Sequence, residues 1–204
     1  VNRCFILGDS PSLDTLVFQD LRKGTTIGVN KTGLRYPVDI TYTQDVNLYK
    51  YIESPGKSDK KRSKLFSAWQ RYSGQTYALE SPSNSFKFAD QANVIPRYLK
   101  KEIRTDLVKG IYPGHSSAFG ALMLACALGF KEIYLLGFGS KQIKSSWHDT
   151  LRRNSTVSKD ISFWGEDFTE FKDSFNKKDI KVYSLSDSQL FGDYPRISFK
   201  NAIR

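Results

Sequence analysis

Residues 112–140 read YPGHSSAFGALMLACALGFKEIYLLGFGS, and this stretch decides the fold. It opens on a turn (Pro113, Gly114) followed by small polar residues (His115, Ser116, Ser117), then runs apolar without a polar face over residues 118–128 and stops at Gly129. Such a run predicts a buried helix, with Ser116 or Ser117 accepting from the first orphan N–H groups and Gly129 in the left-handed position past the C-terminus. After Lys131 and Glu132, IYLLG is a β-rich run ending at Gly137. A helix apolar all round needs cover on several sides, which places this loop-helix-strand unit at the centre of a layered α/β domain. A polar, glycine-containing loop at its N-terminus is then a natural seat for an anion.

Working outward, residues 3–7 (RCFIL) form an apolar run that breaks into GDSPSL. Leu13, Leu16, Val17 and Leu21 follow at amphipathic spacing, so this reads as first strand, first loop and first helix, with Pro11 in the first helical turn. Gly8 lets backbone approach a ligand, and Ser10 and Ser12 add hydroxyl donors beside N–H groups expected to face it. TTIGVN gives a second strand finishing in Asn30, and DITYTQD a third closing in Asp45. Polar residues at the carboxyl ends of successive strands converge where open parallel sheets bind ligands. IKVYSL at residues 180–185 is the last strand, preceded by an amphipathic surface helix with Phe168, Phe171 and Phe175. The expected fold is a single Rossmann-like, doubly wound, mainly parallel α/β domain over residues 1–204, with a basic loop and lid-like insertion over about residues 53–110.

Composition bounds the function. The chain of 204 residues carries 31 Lys plus Arg against 21 Asp plus Glu, a net charge of +10, which attracts anionic partners without naming one. The tract PGKSDKKRSK at residues 55–64 is read as a solvated loop, with phosphate contact to DNA through Lys57, Lys60, Lys61, Arg62 and Lys64 as the sharper alternative. Cys4 and Cys126 lack metal-ligand spacing, and no signal peptide or spanning segment is legible, so a reduced, cytoplasmic setting is expected. Walker, G-x-G-x-x-G, zinc and Ser-elbow motifs are absent, and with them the usual sequence support for ATP hydrolysis, zinc chemistry or hydrolase chemistry.

Candidates for proton transfer are few because the chain has two histidines. His148, beside Asp149 in the polar segment SSWHDT, is the expected general base, with Asp45 as alternative base or loop organiser. His115 can bond a phosphate or help cap the central helix.

ILGDSPSL, IGVN, the strand ending in Asp45 and GHSSAFGALMLACALGFKEIYLLGF resemble, in the same order, the bacterial lipooligosaccharide sialyltransferases and the wider set related to motility-accessory-factor glycosyltransferases. That set includes short phage-encoded homologues and archaeal hydroxymethylpterin diphosphokinases. The resemblance implies a nucleotide-sugar donor as co-substrate, no tightly bound cofactor, and transfer of a sugar to an acceptor hydroxyl; no metal is expected, because a helix N-terminus and hydroxyl donors can stabilise the leaving group without one. By motif position it implies donor contacts at Gly8, Asp9, Ser10, Pro11, Ser12, Asn30, Ser116 and Ser117, to which the residues add Gly114, His115 and Gly137. Many relatives have Asp where this chain has Gly139, and a small Gly where it has Ser10. Resemblance to phage homologues makes hydroxymethylated pyrimidine DNA an expected acceptor; a glycan or protein acceptor, a pterin-type pyrophosphokinase and a non-catalytic nucleotide-binding module are the alternatives.

Overall fold

The computed structural model describes residues 2–16, 18–45, 48, 60–80, 92–138, 161–185, 191 and 194–204. Seven strands form one sheet: β1 Arg3–Leu7, β2 Thr25–Val29, β3 Ile40–Thr43, β4 Gln75–Leu79, β5 Asn93–Ile95, β6 Glu132–Leu136 and β7 Lys181–Ser184. Their order across the sheet is β5-β4-β3-β2-β1-β6-β7, and every pairing is parallel. The chain therefore steps outward from β1 to β5, then crosses back to lay β6 on the other flank of β1. That reversal between β1 and β6 is the topological switch point, outside whose carboxyl ends doubly wound sheets bind ligands.

The central strands are buried on both faces, which is why their sequences are almost continuously apolar. Alternate residues divide between two cores. Cys4, Ile6, Ile27, Val29, Ile40, Tyr42, Ile133 and Leu135 face helices α3 (Ser117–Ala127) and α4 (Ile161–Lys177). Phe5, Leu7, Tyr134 and Leu136 face Leu13, Leu21 and Ala202 on the other side. Helix α3 is the expected buried helix. Ser116 caps it by accepting from the Phe119 N–H, and at its far end Gly129 takes φ +88° while the N–H groups of Gly129 and Phe130 close onto the carbonyls of Cys126 and Ala125.

Three expectations are corrected. Pro11–Thr15 and Phe18–Lys23 are two 3-10 turns, in place of the one amphipathic helix expected. The basic tract is not loop throughout: helix α2, Lys60–Arg71, begins inside it, and α1 is the single turn Thr32–Arg35. The insertion after β4 contributes the edge strand β5, and Arg97 bridges to Ile111 beside it, so this part of it extends the sheet. Lys57 lies outside the described residues. Among the described residues no helix is long and apolar enough to cross a membrane.

Candidate active site

At the switch point the loops after β1 and β6 are fastened to each other. The Gly8 N–H donates to the Leu136 carbonyl and the Ser10 N–H to the Gly137 carbonyl, both at 2.8 Å. The Thr32 hydroxyl donates to the Gly8 carbonyl at 2.9 Å from the α1 side. Ser10 caps the turn that begins at Pro11, its hydroxyl accepting from the Ser12 N–H at 3.4 Å and also from the Ser12 hydroxyl at 3.1 Å. Gly137 has φ +70°, and a side chain there would run into Leu13. The amides of Gly8 and Ser10 are thus spent inside the fold, which corrects the expectation that they face a ligand.

Asp9 pairs with Lys31 at 2.7 Å across the ends of β1 and β2. Burial pushes the Asp9 carboxyl up from its ordinary value, and the Lys31 ammonium works in the opposite direction. Asn30, between them and β3, sits in the left-handed region at φ 55°, with its N–H on the Tyr42 carbonyl at 2.8 Å. Its side-chain oxygen accepts from the Thr43 hydroxyl at 2.6 Å, and the same Thr43 oxygen receives the Asp45 N–H at 2.9 Å. With the Asn30 oxygen spoken for, its amide NH₂ group is the end directed away from Thr43.

The loop before α3 joins this row through Gln44. In the orientation its neighbours select, Gln44 donates to the Pro113 carbonyl and accepts from the Ser117 N–H, each at 3.2 Å. Gly114 turns the chain at φ +60°. The His115 N–H then donates to Asp167 Oδ2 at 2.7 Å, and His115 Nδ1 lies 3.0 Å from the same oxygen. The Tyr112 hydroxyl donates to the other oxygen, Oδ1, at 3.4 Å. Two more amides expected to face an anion, those of His115 and Ser117, are therefore also engaged. Ser116, not His115, is the helix cap.

Aromatic rings link the two ends of this arc. Phe138, after β6, meets Phe191 edge-on at 5.4 Å, and Phe191 meets Phe168, the neighbour of Asp167, at 4.6 Å. A side chain at Gly8 would strike Phe138. Contacts thus join Gly8 to Thr32, Asn30 to Thr43, Gln44 to the loop before α3, His115 to Asp167, and Phe168 through Phe191 to Phe138, in a row of loops that forms a rim at the carboxyl edge of the sheet. The structure brings together Gly8, Asp9, Ser10, Ser12, Asn30, Asp45, Gly114, His115, Ser116, Ser117 and Gly137 on this rim, with Pro11 opening the turn beside it. His148 and Asp149 lie outside the described residues, as does Gly139.

Asp167 is the site residue that the sequence reading missed. It stands four residues before Phe171 and next to Phe168, so a carboxylate falls on the apolar face of α4. That mismatch was the available signal, since a buried carboxylate requires partners. Among the described residues no three His, Cys, Asp or Glu side chains cluster so as to hold a metal ion.

Strand order defines a doubly wound α/β fold, the kind in which ligands bind outside the carboxyl ends of the strands at the switch point. Comparison with solved structures gives the fold more narrowly, that of the CstII-type bacterial sialyltransferases. A sialyltransferase CstII from Campylobacter jejuni, solved with the substrate analogue CMP-3FNeuAc, is similar over 96% of this chain and 86% of its own at TM-score 0.55 and 15% identity. CST-II with a trisaccharide acceptor and CMP is similar over 95% and 85% at TM-score 0.55 and 17% identity. An apo α-2,3-sialyltransferase from Campylobacter jejuni is similar over 96% and 80% at TM-score 0.56 and 19% identity. No protein-family model matches the chain, and no curated protein sequence matches it significantly.

Proposed function

We propose that the protein is a glycosyltransferase that moves a sugar from a nucleotide-sugar donor, of the cytidine monophosphate class bound by its structural neighbours, to an acceptor hydroxyl. The observation that carries this reading is the rim itself: the loops after β1, β2 and β3 and the loop before α3 meet around one switch point. With the amides of Gly8, Ser10, His115 and Ser117 engaged, donor contact falls to side chains. These are the Asn30 NH₂ group, the hydroxyls of Ser10, Ser116 and Ser117, and the Ser12 oxygen as an acceptor, its proton being given to Ser10.

In this reading the donor's phosphate leaves as negative charge develops on it, and hydroxyl donors beside the α3 N-terminus stabilise that charge. The sugar passes through an oxocarbenium-like transition state, and the acceptor hydroxyl gives up its proton to a base. The net charge of +10 favours an anionic acceptor, and hydroxymethylated pyrimidine DNA, reached through the basic N-terminal turn of α2, is the sharpest case.

The test is a thermal-shift panel followed by a transfer assay. CMP and CMP-sugars raise the melting temperature where ATP with magnesium does not, because only ligands of the native state stabilise it. Labelled sugar then moves from the stabilising donor to glycan or to hydroxymethylated DNA, which decides the acceptor. Stabilisation by ATP with magnesium and by no nucleotide sugar contradicts the reading.

A further inference from the structure

His115 is the most completely built titratable group on the rim. Asp167, with a side chain only 1% exposed, receives two N–H groups of the same residue on one oxygen, the backbone N–H at 2.7 Å and the ring Nδ1 at 3.0 Å. An ionised carboxylate only accepts, so the neutral ring carries its proton on Nδ1 and its lone pair on Nε2, the nitrogen turned away from Asp167. Two features hold the carboxylate still. Tyr112 donates to its other oxygen while stacking on Phe171 at 5.5 Å, and Gly114 brings backbone so close that a side chain there would sit 2.5 Å from Asp167 Oδ2. The imidazole itself is 38% exposed, so one ring nitrogen is anchored in the protein while the ring reaches the rim. Anchoring the loop alone would need only the backbone bond; the second bond fixes ring and tautomer. Beyond His148 the chain has no further histidine, and what α4 contributes to the rim is this carboxylate.

We infer that His115 is the base of the transfer reaction and Asp167 its positioning residue, an inference that rests on the proposed function. In the step, the acceptor O–H proton passes to His115 Nε2. The acceptor oxygen's electron pair forms the bond to the anomeric carbon, and the bond from that carbon to the donor phosphate breaks with its pair on the phosphate oxygen. Asp167 opposes the positive charge on the ring until Nε2 returns the proton to water. His148 is the rival base, and the experiment decides between them.

Because the chain has two histidines, ¹⁵N-histidine NMR of the whole protein shows two imidazoles, assigned by the His148→Ala variant. The wild-type His115 ring is expected as the Nδ1–H tautomer. Asp167→Asn, whose amide can donate to Nδ1, shifts it toward Nε2–H. In turnover of a CMP-sugar, followed as CMP release, His115→Gln and Asp167→Asn lower kcat by about 10²–10⁴-fold, the usual size of a general-base contribution. KM stays within about threefold, the split expected for a group acting in the transition state alone. Asp167→Asn alters the acidic limb of the pH profile where a merely structural lesion leaves it in place, and a loss of kcat in His148→Ala that His115→Gln does not share overturns this inference in favour of the rival base. CMP release by the wild type with His115→Gln within about twofold of it, or loss confined to KM, overturns this inference alone. No CMP release by the wild type overturns the transferase reading and this inference with it, and an Nε2–H wild-type ring overturns the pairing.

Discussion

Replacing Gly8 by alanine tests the junction on which the rim depends. A Cβ at Gly8 falls 2.5 Å from the Gly137 carbonyl oxygen and 2.5 Å from the Phe138 ring, where ordinary contact begins at 3.4 Å. Each contact is thus short by 3.4 − 2.5 = 0.9 Å. The ring can turn aside, but the carbonyl is held by the Ser10 N–H at 2.8 Å and retreats only by giving up that bond. Overpacking of this kind costs about 1–3 kcal/mol and the lost bond about 1 kcal/mol, so about 2–4 kcal/mol together. For a domain of this size the melting temperature falls by about 4–16 °C. Parting the β1 loop from β6 also displaces Asp9 and Ser10, so CMP affinity, measured by calorimetry below the melting range, falls with stability. Gly129→Ala is the control. No atom lies within 4 Å of its Cβ, but φ is +88°, so it loses about 1–2 kcal/mol to backbone strain while CMP affinity is unchanged. The reasoning is refuted if Gly8→Ala melts within about 2 °C of the wild type, the scatter of a sub-kcal/mol change, or binds CMP normally while destabilised.

Two further outcomes follow from named groups. The Asp9 carboxyl is raised in the folded state, so the native protein holds a proton there that the unfolded chain releases, and its contribution to stability is present at acid pH and lost as pH rises through the folded value. Urea unfolding across the carboxylate range should therefore show the wild type losing stability relative to Asp9→Asn as pH increases, and the opposite slope contradicts the assignment. Cys4 and Cys126 are 0% and 1% exposed, and burial pushes the Cys126 thiol up to about 12 and the Cys4 thiol well above its ordinary value. Alkylation at neutral pH should be slow in the native protein and appear with unfolding, and fast labelling of either thiol in the folded state refutes it.

Much of the fold was legible because its signals are local. Strand β1 ends where apolar residues give way to Gly8 and Asp9, and α3 runs from its Ser116 cap to the left-handed Gly129. The misreadings share a physical cause. Leu13, Leu16 and Leu21 suit a helical stripe, but over two short turns the same residues bury equally well in 3-10 geometry against Phe5 and Leu136. Lysine and arginine are good helix formers, so the basic run from Lys60 is part of α2. Strand β5 has three residues, two of them exposed, and carries no periodicity to detect. At the site, the polar strand ends were visible from sequence, whereas the direction of each N–H depends on tertiary pairing. The amides of Gly8 and Ser10 turn to β6 because the sheet order sets β6 beside β1, a neighbour 129 residues away in sequence for every registered pair, as Leu7 and Leu136 show. Asp167 was hidden for the same reason, its partners His115 and Tyr112 lying 52 and 55 residues upstream.

The structure of the protein crystallised with CMP tests the central claim most directly. The nucleotide is predicted at the switch point, with Asn30 and the hydroxyls of Ser10, Ser12, Ser116 or Ser117 on its polar groups and its phosphate toward the His115 side of the rim. CMP lodged at the amino edge of the sheet, or on a face away from the loops after β1 and before α3, contradicts it.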